Sequence, residues 1–125
     1  MTKRAVLSTL SVLAVAALQT GCGGDKALSY QANVKPLLDA KCVSCHVPGG
    51  DGYEKSGLRL DSYEAMMKGT KFGAVVVPGS SISSTLYRLV SGQADPSIRM
   101  PHGQAALPDA DAAMIAAWID QGAKY

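Results

Sequence analysis

Cys42-Val43-Ser44-Cys45-His46 constrains this chain more than any other feature. Two thiols one helical turn apart, with an imidazole directly after the second, serve few chemistries. They form a redox pair, part of a metal site, a local disulfide, or the attachment pattern for c-type haem. In the last case each residue type has a physical task. Each thiol adds to one vinyl group of the porphyrin, and the adjacent imidazole meets the iron from the same face. A thioredoxin-like pair needs a strand and helix order around the cysteines that is missing here. Zinc needs a fourth ligand, and His102 is the only other histidine in the chain. A Cys42–Cys45 disulfide leaves His46 without a role. The residues favour one covalently bound haem c, with Cys42 and Cys45 as attachment points and His46 on the iron.

The third cysteine, Cys22, falls in a different context. Lys3 and Arg4 precede an apolar run, Ala5 to Leu18, broken only by Ser8, Thr9 and Ser11, and Gln19-Thr20-Gly21-Cys22 follows. That order is the pattern of a secretory signal peptide. The run is too short to cross a hydrocarbon layer of about 30 Å comfortably, and no positive flank follows it. Leu18-Gln19-Thr20-Gly21-Cys22 resembles a bacterial lipobox, in which the cysteine carries lipid and becomes the first residue. Gln19 stands where an aliphatic residue is usual, and the alternative is an ordinary peptidase cut that leaves Cys22 as a thiol. The expected organisation is a leader over 1–21, a flexible tether over 22–28 and one domain over 29–125. Lipid on Cys22 and haem on Cys42 and Cys45 would use all three cysteines. The protein is then exported, periplasmic and held to a membrane by its lipid.

Twelve Lys and Arg face ten Asp and Glu. Lys3 and Arg4 both lie in the leader, so the remainder is formally neutral. No basic field gathers nucleic acid, and no run of like charges marks a charged tail. With a single Phe, a single Trp and 13 Gly, few side chains are available to fill a core. A buried porphyrin would supply the missing apolar volume.

The rest reads as helix and loop. Ser29 is a good N-cap for Tyr30, Val34, Leu37 and Leu38 at helical spacing, with Pro36 imposing a kink or a late start near Val34. Residues 47–57 read as a glycine-rich loop. Leu58 and Leu60 flank Arg59 in an extended segment. Asp61 and Glu64 form a capping pattern for a short helix ending at Gly69. Val75 to Pro78 is expected to be extended, and Ser81 or Ser83 to cap a helix through Leu86, Leu89 and Val90. Residues 93–108 lack periodicity and carry three prolines, which predicts a long loop. A last helix is predicted from Asp109 to Gln121, with Ile115, Trp118, Ile119 and Gly122 on its apolar stripe. The expected fold is all-α, a small helical domain wrapped around one covalently bound haem.

A second axial ligand must come from elsewhere in the chain. Met66, Met67 and Met114 fall on predicted helices, where methionine usually fills core space. Met100 stands in the 93–108 loop beside Pro101, far downstream of His46. His102 is its rival. Met100 is favoured as the distal iron ligand, because His–Met ligation closes the coordination sphere and suits electron transfer.

Taken together, Met100-Pro101 after the cysteine motif, closed by Trp118-Ile119-Asp120-Gln121-Gly122-Ala123, resembles the class I cytochrome c family. Gly57-Leu58-Arg59-Leu60-Asp61-Ser62 and Val77-Pro78-Gly79 through Ser84-Thr85-Leu86-Tyr87-Arg88 are similar to planctomycete-type cytochrome c domains. The resemblance spans about Tyr30 to Tyr125. It implies that the first and last helices cross, bringing Tyr30 or Val34 near Trp118. It also implies a backbone carbonyl that orients the His46 ring, with Pro48 and Pro78 as candidates, and it offers Arg59 as a contact for a haem propionate. The implied activity is transfer of single electrons between redox partner proteins, without catalysis by the chain itself. The alternatives are a haem sensor or small-ligand binder, or the haem subunit of a larger dehydrogenase.

Overall fold

The computed structural model describes residues 26–125. The leader over 1–21 and Cys22 therefore lie outside the described residues, as do residues 23–25 of the tether. Within them the chain forms five α-helices and no strand: α1 (Lys35–Lys41), α2 (Asp51–Ser56), α3 (Tyr63–Lys68), α4 (Thr85–Val90) and α5 (Asp109–Asp120). The all-helical expectation holds, with loops carrying much of the remaining chain.

The first element shows how proline shapes a helix start. Ser29 caps it, its hydroxyl accepting from the Ala32 amide at 3.2 Å. The turn Tyr30–Val34 is then wide, with the Lys35 amide donating five residues back to Tyr30. Pro36 has no N–H to donate four residues back, so regular α-helix starts only at Lys35, where a proline in the first turn costs nothing.

Three local expectations need correction. Residues 51–56 are helical rather than loop. Asp51 and Glu54 occupy the first turn, and Gly57, at φ 73°, ends the helix in the left-handed conformation that glycine adopts without strain. The cap of α3 is Ser62, which accepts from the Ala65 amide at 3.2 Å. Asp61, the expected cap, is instead taken by Arg59. At α4 the residue before the helix is Ser84, not Ser81 or Ser83, and its buried hydroxyl accepts from the Val77 amide at 2.8 Å. That bond, together with Leu86 N–H to Val75 O at 2.9 Å, fastens the segment from Val75 to Val77 onto the start of α4.

The expected crossing of the two ends is present. Tyr30 and Trp118 are buried with ring centroids 6.3 Å apart. The Lys124 carbonyl accepts from both the Tyr30 amide and the Trp118 indole N–H, each at 2.8 Å. Tyr63 and Tyr125 extend the aromatic cluster, at 5.3 and 6.0 Å from Tyr30. From there the core runs through Val34 and Leu38, the α5 residues Ile115 and Ile119, Met66, and Leu58 and Leu60. The alternation at 58–60 reads as expected, with both leucines buried and Arg59 exposed. This core is what fixes the segment on which the cysteine motif depends.

Candidate haem site

The cysteine motif leaves α1 as a continued turn. The Cys42 amide donates to Leu38 O at 2.8 Å, and Cys42 O then accepts from the Cys45 and His46 amides at 3.2 and 3.0 Å. Two thiols one turn apart and the following imidazole are thus held on one rigid backbone segment. Both cysteines are free thiols, Cys42 half-buried and Cys45 exposed. Burial, with the neighbouring Cys45 adding to it, pushes the Cys42 thiol up to about 11. A thioredoxin-like pair works through a thiol with a depressed pKa. The environment here does the reverse.

His46 is only 8 % exposed. Its Nδ1 lies 3.3 Å from the carbonyl oxygen of Leu58. A carbonyl only accepts, so Nδ1 carries the proton and Nε2 keeps its lone pair. Burial lowers the His46 pKa and outweighs the opposing effect of that hydrogen bond, which favours the neutral, ligating form. The His46 carbonyl in turn accepts from the Leu60 amide at 2.9 Å. Leu58 and Leu60 therefore grip both the ring and the backbone of His46. Neither Pro48 nor Pro78 supplies the orienting carbonyl. Leu58 does, because its buried side chain anchors that backbone in the core directly beside the motif.

Two glycines complete the surroundings. Gly50 and Gly52 belong to the start of α2, whose Tyr53 amide donates to Cys45 O at 2.9 Å. A Cβ on Gly50 would fall 2.5 Å from Cys45 O. One on Gly52 would fall 2.7 and 2.8 Å from Cε1 and Nε2 of the His46 ring. Glycine inside a helix costs about 0.5–1 kcal/mol relative to alanine, so propensity alone does not explain Gly52. The contact with His46 does. Nothing in the sequence separated these two glycines from the others in the loop, and no pattern marked the Leu58 carbonyl.

The other proposed residues are placed separately. Met100 is half-buried against the apolar core, its amide donating to Leu89 O at 2.9 Å. His102 is exposed. Arg59 forks onto Asp61, with Nη2 to Oδ2 at 2.6 Å and Nε to Oδ1 at 3.2 Å. The structure thus groups Cys42, Cys45 and His46 with Gly50, Gly52 and Leu58, and holds Met100 on the loop after α4.

This donor set fits a c-type haem: two free thiols at the attachment spacing, a neutral imidazole with Nδ1 engaged, and a thioether on a separate loop. It does not fit tetrahedral zinc, since among the described residues no cluster of three or more His, Cys, Asp or Glu side chains is placed to hold a metal ion. An all-helical domain carrying a Cys-x-x-Cys-His motif fits the class of cytochrome c domains. Residues 42–103 match the family model described as planctomycete cytochrome C, and the chain carries a planctomycete-type cytochrome c domain. No curated protein and no solved structure matches the chain. A cytochrome c domain is a haem-binding unit of electron transfer.

Proposed function

We propose that this chain is a single-haem c-type cytochrome that passes single electrons between redox partner proteins in the periplasm. The observation that supports it is His46, buried, neutral and tied through Nδ1 to Leu58, directly after two free thiols in the matched region. When bound, the haem supplies the one-electron iron couple. Cys42 and Cys45 would hold it by thioether bonds, keeping it with the protein through repeated redox cycles. His46 would hold the iron through Nε2, and the Leu58 carbonyl keeps the ring in one tautomer and raises its basicity. Met100 would supply its thioether as a second iron ligand, which suits electron transfer over binding of a substrate or gas. The chain is an electron carrier on this reading, and not an enzyme.

The periplasmic placement and the lipid anchor rest on the leader pattern and Cys22. A neutral mature surface suits brief encounters with partners rather than tight charge-steered complexes.

A visible spectrum and an intact mass of the protein, expressed with its leader in a host that attaches c-type haem, test this together. The expected result is a c-type alpha band on reduction and a mass increased by one haem, lost in Cys42→Ser/Cys45→Ser. A reduced protein without the band ends the haem reading, and a mass without lipid ends the anchor.

A further inference from the structure

Gly52 lies inside α2, where its backbone has no positive φ and alanine would be the better helix former. Flexibility is thus not what the position requires. Space is: the His46 ring comes so close that a Cβ would fall 2.7 Å from Cε1 and 2.8 Å from Nε2. The helix has little freedom to retreat, since the Tyr53 amide bonds Cys45 O at 2.9 Å and Gly50 packs on that same carbonyl. The ring has little either, since Nδ1 is held by Leu58 and the His46 carbonyl by Leu60.

We propose that Gly52 is a positioning residue for the His46 imidazole, fixing the angle at which Nε2 is offered to the haem iron. This rests on the reading of His46 as the proximal ligand. α2 forms one wall against the ring and the Leu58 carbonyl holds the opposite nitrogen, so the two together set its rotation. A methyl group at position 52 displaces the ring and stretches the His46–Leu58 bond. The imidazole then becomes a poorer electron donor, and the ferrous state gains relative to the ferric.

The test uses the full-length protein matured with haem. In the reduced, diamagnetic wild type, a nuclear Overhauser contact is expected between the Gly52 α protons and the His46 Cε1 proton. In Gly52→Ala, the haem-methyl shift pattern of the oxidised protein is expected to change. The reduced-to-oxidised ratio at a fixed applied potential is expected to rise severalfold. Gly49→Ala is the control, because Gly49 has φ 90° but nothing within 4 Å of its Cβ. It strains the same stretch of chain and is expected to leave both readouts in place. Haem present with no Gly52–His46 contact overturns the proposal, as does a Gly52→Ala protein indistinguishable from Gly49→Ala. If Gly52→Ala does not mature, the wild-type contact decides alone. A wild type without covalent haem overturns the functional reading, and this proposal with it.

Discussion

Nδ1 of His46 stands 3.3 Å from the carbonyl oxygen of Leu58, while the His46 carbonyl accepts from the Leu60 amide at 2.9 Å. One three-residue segment thereby holds His46 at both ends, side chain and backbone. The segment is itself held by Leu58 and Leu60, buried at 7 and 2 % exposure. Core packing and the placement of the His46 ring are coupled here, so a loss of packing at Leu60 is also a loss of order at His46.

On the proposed function Met100 and His102 are the two candidates for a second iron ligand, and they differ in burial. Met100 packs against the core and His102 is exposed. Met100→Ala is expected to yield a reduced protein that binds carbon monoxide rapidly at neutral pH, with a lowered reduction potential. His102→Ala is expected to match wild type in both. Stopped-flow mixing with carbon monoxide and a redox titration check this, and a wild-type protein that binds the gas rapidly argues against Met100 ligation.

Arg59 and Asp61 give a pH dependence. The hydrogen-bonded guanidinium holds the Asp61 carboxyl below its usual 3.8. The folded-state value is thus depressed, so the pair's contribution to stability is fully present above the unfolded value near 4. It is lost as pH falls through the lower folded value. Both side chains are well solvated, which keeps the contribution small. Arg59→Ala is expected to return Asp61 to the ordinary carboxylate range, read by carbon-detected NMR titration, with little change in the denaturation midpoint at neutral pH.

Trp118 ties the last helix to the first turn through both area and hydrogen bond. Trp118→Phe removes the indole N–H but leaves Lys124 O bonded to the Tyr30 amide, so a loss of about 1 kcal/mol is expected. Trp118→Ala also empties a fully buried site and is expected to cost about 3–5 kcal/mol. Urea denaturation of the haem-loaded protein distinguishes the two.

The sequence by itself determined the Cys-x-x-Cys-His motif and the helical class. Cys42, Cys45 and His46 are adjacent in the chain, so their spacing is set by one turn of backbone and is legible without a fold. The start of the first helix was equally legible, because Ser29 and Pro36 act through bonds a few residues away. Only the tertiary structure decided which carbonyl orients His46, since Leu58 is twelve residues distant and is brought in by its own burial. The same holds for α2. Its glycines argued for loop, and the contacts of Gly50 with Cys45 and of Gly52 with His46 overrode that local preference. Ser62 in place of Asp61 as a cap follows from Arg59 competing for the carboxylate. Local bonding is written in neighbouring residues, whereas close approach between segments depends on how the core draws them together.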